Sequence, residues 1–532
     1  MGDEPDAGAA VGATRGQTIA DLLRRTAARL PAKTALVWGE RRETFAELDA
    51  AVGRTAGALA ARGVAKGDRV ALFSRNCREF VVVYFALARL GAISVPVNFM
   101  LGAEELAYVL DHSGATGLVA QDALLAPATA ALAALAPGRV RLRGRIGGPA
   151  GAAPDGWEDV AAWEAHQHTG VPGVLLGEDE PVQLMYTSGT ESRPKGAVLS
   201  SRSLIANYVS AIEGGAMTGD DIEVHALPLY HCAQLHGFLT PDVYLGATSV
   251  VLPGPDPVAI LRAVERERAT KLFCPPTVWV ALLRSPEFDR HDLSSLRKGY
   301  YGASAMPREV LAELRRRLPE MGLTNFYGQT EMSPVATVLR PGEHAARPGS
   351  AGRPVLNVET RVVDDAGRPV APGVTGEIVH RSPQAMLGYW NDPRRTAEAF
   401  RGGWFHSGDL GFLDDEGFLY VVDRKKDMIK TGGENVSGRE VEEVLHRHPG
   451  VAEAAVFGIA HPYWVEAVTA AVVPRDGVRP TPEELIAHCR AHLAGFKVPK
   501  YVVVTGTLPK NPSGKILKRR LREEYASLAG SG

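Results

Sequence analysis

Residues 184 to 198 read Leu184-Met-Tyr-Thr-Ser-Gly-Thr-Glu-Ser-Arg-Pro-Lys-Gly-Ala-Val198. A β-like apolar run enters a cluster of small hydroxyl residues around Gly189, a lysine follows, and a helix-like stretch begins at Ser200. Hydroxyls and backbone N–H groups exposed at such a turn form a cradle for phosphate oxygens, and Lys195 adds a full positive charge. The segment is not a Walker A loop, because G-x-x-x-x-G-K-[ST] does not match. On composition alone a solvated Ser/Thr loop is the better reading. Other segments of the chain change that balance.

They are Asn325-Phe-Tyr-Gly-Gln-Thr-Glu331, Trp404-Phe-His-Ser-Gly-Asp409, Asp423-Arg424 with Gly432-Gly-Glu-Asn435, and Pro509-Lys-Asn-Pro-Ser-Gly-Lys515. In this order, with the hydroxyl-rich segment first, they resemble the adenylate-forming superfamily: acyl-CoA synthetases, luciferases and the adenylation domains of peptide synthetases. The resemblance runs from about Thr18 to Glu524. It implies a two-step reaction in which a carboxylate attacks the α-phosphorus of ATP, pyrophosphate leaves, and the acyl-adenylate passes to a thiol. Both reactants of the first step are anionic, so positive charge is needed where negative charge accumulates.

The resemblance also implies roles for individual residues. Lys515 matches the catalytic lysine that bridges the carboxylate and the α-phosphate. Thr187, Ser188, Gly189, Thr190 and Lys195 match the phosphate loop, although Glu191 and Ser192 stand where Thr and Gly are usual. A carboxylate at Glu191 repels a triphosphate unless it is turned outward or paired. Tyr327 matches the ring that stacks on adenine and Asn325 the amide that reads its amino group, with Gly328 and Thr330 in the same nucleotide motif. Gly302, Ala303 and Ser304 match the small-residue strand end beside the adenine. Asp409 matches the acceptor of both ribose hydroxyls, and Arg424 contacts the same sugar. Glu331, with Thr190, matches the Mg²⁺ site, a hard carboxylate suiting an ion held mostly by phosphates and water. His231 matches a histidine near the carboxylate substrate, so Lys515, His231 and Thr190 form the expected catalytic set. His231, Gly302 and Ala303 form the expected acyl pocket. Lys426 matches a hinge about which a small domain rotates between half-reactions, bringing Gly432 and Gly433 beside the CoA tunnel.

Without that company each residue has a plainer reading. Lys515 in a basic tail is a solvated charge, Tyr327 a core tyrosine, and Asp409 a turn residue or N-cap. His225, His231, Cys232 and His236 suggest zinc, but their spacing is irregular.

The elements that must position these residues follow from periodicity. Helix-like stretches Ile19 to Leu30, Phe45 to Arg62 and Cys77 to Leu90 alternate with β-like runs Thr34–Trp38, Arg69–Phe73 and Ile93–Val97, which reads as α/β layers on a largely parallel sheet. Residues 126–156, rich in Ala, Gly, Pro and Arg, have neither period and read as a surface excursion. The alternation resumes from Val182 to about Phe326. Antiparallel β signals follow, with turns at Asp364–Gly367 and Asp414–Gly417. The expected fold is α/β: a flexible tail over 1–16, a large compound N-terminal domain over 17–425, and a small mobile α+β C-terminal domain over 426–532. The resemblance makes the large domain a set of α/β layered subdomains plus a distorted β-barrel.

Composition limits the rest. The chain has 532 residues, too many for one compact core, with 59 Lys plus Arg against 61 Asp plus Glu and a formal net charge of −2. A near-neutral balance argues against nucleic acid as a partner. Four dispersed cysteines without C-x-x-C spacing point to a reducing cytoplasm. No run approaches the ~20 apolar residues of a membrane span.

The expected function is an ATP- and Mg²⁺-dependent acyl-CoA synthetase with coenzyme A as co-substrate. Tyr300-Tyr-Gly-Ala-Ser-Ala-Met-Pro307 and Leu508-Pro-Lys-Asn-Pro-Ser-Gly514 resemble the fatty acyl-CoA ligase branch, which points to a medium to long fatty acid. The chain ends shortly after Leu528 without a carrier domain, so a diffusing acceptor is expected. The alternatives are an aryl-CoA ligase for benzoate- or cinnamate-like acids, a ligase loading a free-standing acyl carrier protein, and a non-catalytic nucleotide- or acyl-binding protein. The presence of Lys515 and Glu331 weighs against the last, and the absence of G-x-S-x-G weighs against a hydrolase. A homodimer is left open.

Overall fold

The computed structural model describes residues 14–147, 154–166, 176–187, 194–304, 306–425, 427–432, 434–510 and 516–530. Ser188, Gly189, Thr190, Lys426, Gly433 and Lys515 lie outside the described residues, as do residues 1–13 of the expected tail.

Helix Ile19–Arg29 buries Ile19, Leu22, Leu23, Thr26 and Ala27, the one-sided stripe of a 3.6-residue period. The next, Phe45–Ala61, starts at a capping box: Glu47 N–H donates to Thr44 Oγ1 at 3.2 Å, and Thr44 N–H donates to Glu47 Oε2 at 2.8 Å. Arg78–Leu90 is apolar around most of its circumference, and nearly all of it is buried. It is a central helix and not a surface one.

Among the described residues the strands form four sheets. An eight-stranded sheet runs Gly388–Tyr389, Lys195–Ser200, Pro181–Thr187, Ile93–Pro96, Arg69–Phe73, Gly117–Gln121, Leu142–Ile146, Glu158–Asp159. A nine-stranded sheet runs Arg353–Pro354, Val335–Leu339, Gly322–Gly328, Lys298–Gly302, Lys271–Phe273, Ile222–His225, Thr248–Val251, Thr34–Trp38, Arg41–Thr44. Both are parallel in the middle and antiparallel at one or both edges, and one continuous apolar core draws on helices and strands of both. Parallel strands need cover on both faces, which the long helices supply.

The part that the resemblance casts as a distorted barrel is, among the described residues, an open four-stranded antiparallel sheet: Glu359–Val363, Gly376–Arg381, Phe405–Leu413, Leu419–Arg424. A bridge between Gly352 and Leu419 ties it to the region of the large sheet's edge. Beyond it, Ile429–Thr431, Glu434–Val436, Val451–His461, Val465–Pro474 and Tyr501–Val504 form a smaller sheet. Helices Gly438–His446 and Pro482–His492 pack on it with their own apolar cores. The architecture is thus mixed α/β, with a large N-terminal and a smaller C-terminal domain. No helix among the described residues is long and apolar enough to cross a membrane.

Three local expectations change. Residues 126–156 are not a plain excursion, because Leu125–Ala133 is a helix and Leu142–Ile146 pairs in parallel with Gly117–Gln121. Pro127 is tolerated there because it falls in the first turn. The strand is hidden in sequence by Arg143, Gly144 and Arg145. Gly144 is required because a Cβ would lie 2.3 Å from the Trp163 ring. Second, Lys195–Ser200 is a return strand antiparallel to Pro181–Thr187, so the hydroxyl-rich loop joins two strands and does not lead directly into a helix. Third, Thr34–Trp38 lies apart from Arg69–Phe73 and Ile93–Pro96, pairing with Thr248–Val251 and Arg41–Thr44 in the nine-stranded sheet.

Candidate active site

Strands Lys298–Gly302 and Gly322–Gly328 lie side by side, with Gly302 opposite Phe326. A Cβ on Gly302 would sit 2.4 Å from Phe326 O, and one on Gly328 would sit 1.9 Å from Pro334 O. Glycine is therefore the residue that lets these strand ends approach neighbouring backbone. Ala303, next in line, takes a positive φ of 64°, and Ala303 and Ser304 are exposed.

On this platform Tyr327, Asp409 and Arg424 meet. The Tyr327 hydroxyl donates to Asp409 Oδ2 at 2.7 Å, and Arg424 Nε lies 3.5 Å from Asp409 Oδ1. Asp409 and Arg424 are register partners on adjacent strands. Burial, and then the Asp409 carboxylate, push the Tyr327 phenol well above its ordinary range, so it stays a donor. Asn325 points elsewhere. Its Nδ2 approaches Ser350 O at 3.4 Å, and with Tyr301, Met306 and Pro307 it lines a cavity of about 320 Å³ that reaches the C-terminal helix Gly438–His446.

A second group forms around Tyr389. Its hydroxyl donates to Glu331 Oε1 at 2.9 Å, and Lys195 Nζ stands 5.3 Å from its ring centroid. Burial and the Glu331 carboxylate raise the Tyr389 phenol above its ordinary value. Thr187, opposite Lys195 in the hairpin, ends the strand that enters the hydroxyl-rich segment. Tyr108 Oη donates to Pro194 O at 3.2 Å, and the Tyr186 hydroxyl lies 2.8 Å from His112 Nδ1. These contacts tie both arms of the loop to helix Ala103–Ser113.

The third group surrounds His231. Its Nδ1 accepts from Ala233 N–H at 3.2 Å, an N-cap role that turns the ring at the start of the next helical segment. His231, Gly302, Ala303, Phe238, Phe273 and Phe326 are among the residues that line one cavity of about 60 Å³, together with Tyr327, Gly328 and Thr330. Leu235–Leu239 forms a π-helical turn, a rare feature that frequently marks functional sites. It presents Gly237 to the cavity, and a Cβ there would meet nothing within 4 Å.

The loop carrying His231 is held from behind. Asn76 Nδ2 donates to Leu227 O at 2.8 Å, and Asn76 Oδ1 accepts from Leu229 N–H at 2.7 Å. Gln234 Nε2 donates to His225 Nδ1 at 2.7 Å, and His225 Nε2 faces Asp242 Oδ2 at 3.2 Å. Lys271, fully buried, pairs with Asp242 and, at 2.9 Å, with Glu223. Burial raises the Glu223 carboxyl. Burial also opposes ionisation of Asp242, yet Lys271 and His225 hold its carboxyl below the usual range. Glu223, His225 and Asp242 have metal-ligand types within reach of one another, but the Lys271 ammonium already pairs with both carboxylates. His236 is bonded instead to Tyr208 and Gln183.

The structure therefore gathers Tyr327, Asp409 and Arg424; Lys195 and Glu331; and His231, Gly302 and Ala303. It sets Asn325 on a neighbouring cavity. Gly432, at φ 57°, packs near Trp464 in the small domain. Tyr389, Gly237 and Asn76 escaped the sequence reading. For Tyr389 the available signal was the run Gly388-Tyr-Trp-Asn391, aromatic residues beside a glycine after a loop.

The AMP-binding enzyme family model matches residues 23–390, and the model for the AMP-binding enzyme C-terminal domain matches residues 440–515. Feruloyl-CoA synthase from an Amycolatopsis species is 41% identical over 514 residues, covering 96% of this chain and 100% of that protein. A long-chain-fatty-acid–CoA ligase of Mycobacterium tuberculosis is 35% identical over 492 residues, covering 91% and 94%. Among solved structures, the anthranilate CoA ligase AuaEII in complex with anthranoyl-AMP superposes with a TM-score of 0.90 at 28% identity, covering 98% of this chain and 100% of that one.

Proposed function

This chain belongs to the AMP-binding enzyme family, within the acyl-CoA synthetase branch of the adenylate-forming superfamily, and on that footing we propose that it is an AMP-forming ligase joining an aryl or arylpropenoic acid to coenzyme A. ATP and CoA are its co-substrates and Mg²⁺ its metal. The observation that carries the aryl reading is the small cavity beside His231, whose walls include the flat rings of Phe238, Phe273 and Phe326. Phe238 stacks on Phe273 with centroids 4.4 Å apart. Fixed aromatic walls suit a flat, rigid acid, which loses little conformational freedom on entry. The 41% identity to a feruloyl-CoA synthase supports the same class.

A linear fatty acid, the class that motif resemblance favoured, is the second reading. Its support is the open space over Gly237, which gives the cavity room to continue.

In the first half-reaction the acid lies in the His231 cavity with its carboxylate toward Gly302 and Ala303. The nucleotide lies on the strand ends, with its ribose hydroxyls at Asp409 and Arg424 and its adenine against Tyr327. Lys195 meets the phosphates of ATP, and Lys515, carried by the small domain, meets the carboxylate and the α-phosphate. Glu331 fits Mg²⁺: it is a hard carboxylate held by a phenol donor near Lys195. When bound, Mg²⁺ offsets charge on the phosphates. Rotation about Lys426 then clears Lys515 for the thiol.

ATP–pyrophosphate exchange with ferulate, benzoate, indoleacetate, octanoate and palmitate, followed by thioester assay with CoA or an acyl carrier protein, tests this reading. Exchange should be fastest with an aryl acid and thioester should form on CoA. Faster exchange with octanoate or palmitate refutes the aryl assignment. Absence of exchange with every acid refutes the ligase.

A further inference from the structure

Residues Met386–Trp390 form a strap between two parts of the site. Met386 N–H donates to Glu331 O at 2.8 Å, while Leu387 N–H donates to Val198 O and Trp390 N–H to Gly196 O, each at 2.8 Å. Between them Gly388 and Tyr389 pair with Val198 and Ala197. Gly388 takes a φ of 149°, and a Cβ there would lie 2.8 Å from Thr396 Cγ2. Thr396 Oγ1 in turn accepts from Tyr389 N–H at 2.9 Å. The backbone of the strap is thus bonded to Glu331 at one end and to the Lys195 strand at the other.

The Tyr389 side chain repeats that connection. Its hydroxyl holds one oxygen of Glu331, and its ring face lies toward the Lys195 ammonium. The ring makes a hydrogen bond at its edge and a cation–π contact at its face. Resting on the reading that Glu331 serves Mg²⁺ and Lys195 serves the phosphates, we propose that Tyr389 is a positioning residue for the metal–nucleotide complex. The phenol fixes the carboxylate's orientation, and the ring fixes the ammonium that shares the same phosphates. A hydrogen-bond donor behind a ligating carboxylate commonly controls metal affinity in this way.

The test measures metal binding without turnover. The full-length chain is mixed with α,β-methylene-ATP and titrated with Mn²⁺, and free Mn²⁺ is read by its EPR signal. Tyr389→Phe keeps the ring and removes the hydroxyl, so Mn²⁺ affinity should fall roughly 10- to 100-fold while metal-free nucleotide affinity stays at the wild-type value. Tyr389→Leu removes the ring as well and should also weaken metal-free nucleotide binding. Glu331→Gln is the reference variant. If it loses Mn²⁺ affinity and Tyr389→Phe does not, the positioning role is overturned and the Glu331 reading stands. If Glu331→Gln itself binds Mn²⁺ like wild type, both are overturned. Should Tyr389→Phe fail to fold, Glu331→Asp, which withdraws the carboxylate from the phenol by one methylene, should show the same loss. Wild-type affinity in that variant overturns the proposal.

Discussion

Gly302→Ala adds one methyl group where the paired strand ends meet the cavity beside His231. Its Cβ would stand 2.4 Å from Phe326 O, whereas real Cβ contacts essentially never fall below 3.0 Å, so the strand ends must separate by at least 0.6 Å. The obstacle is the backbone of a parallel neighbour hydrogen-bonded along five register pairs, which cannot swing aside as a flexible side chain can. Overpacking of this kind destabilises by about 1–3 kcal/mol. A misplacement approaching 1 Å between reacting groups costs about 100-fold in rate, equivalent to about 2.7 kcal/mol of barrier at 1.36 kcal/mol per decade. Pyrophosphate-exchange kcat/KM should therefore fall about 100-fold, with a drop of a few degrees in melting temperature. Gly237→Ala is the control in the same cavity. Its added methyl meets nothing within 4 Å, so exchange with a compact acid should stay near the wild-type rate. Wild-type exchange by a folded Gly302→Ala protein would refute the claim that the close strand approach sets the reaction geometry.

Other tests address the surrounding network. Asp409→Asn removes the charge shared by Tyr327 and Arg424, and loss of a charged hydrogen bond worth about 1.5–3 kcal/mol should weaken ATP binding by roughly 10- to 100-fold in calorimetry; unchanged affinity would exclude Asp409 from the nucleotide site. Lys271→Met strands Glu223 and Asp242 in the core, and breaking such a buried pair should destabilise the large domain by about 3–5 kcal/mol in urea titrations, whereas an unchanged midpoint would show that the pairing contributes nothing. Burial holds His236 and His380 down to about 3, so the folded chain leaves them neutral while the unfolded chain protonates them below about 6.5. Their contribution is present above pH 6.5 and is lost as pH falls toward 3, by up to about 1.4 kcal/mol per pH unit for each histidine. Urea midpoints at pH 7 and pH 5 should show a fall that shrinks in His236→Gln with His380→Gln, and an identical fall in that double variant would refute it.

Several of the residues that the structure gathers were legible in sequence because they fall in short motifs. Gly302 and Gly328 sit where a strand ends against another backbone, Asp409 lies within the strand Phe405–Leu413, and each falls in a motif of fewer than ten residues. Helices such as Ile19–Arg29 were legible because a single buried face imposes its period. Leu142–Ile146 was not, because its arginines and glycine obey contacts with Trp163 and Asp122 made far away in the chain. The return strand Lys195–Ser200 was missed because a loop of polar residues followed by a helix looks alike whether or not a strand intervenes.

The sequence by itself determined the family, the order of its motifs and the two-domain plan, since these depend on local residue types in a set order. Only the tertiary structure decided that Thr34–Trp38 crosses to the second sheet, that Asn325 faces a cavity apart from Tyr327, and that Tyr389 reaches Glu331 across 58 positions. Sheet pairing depends on which apolar faces bury together, and a hydrogen bond depends on where two distant strands end. Neither leaves a mark in residue spacing, so the strap that joins the Lys195 strand to Glu331 emerged from the packed sheets alone.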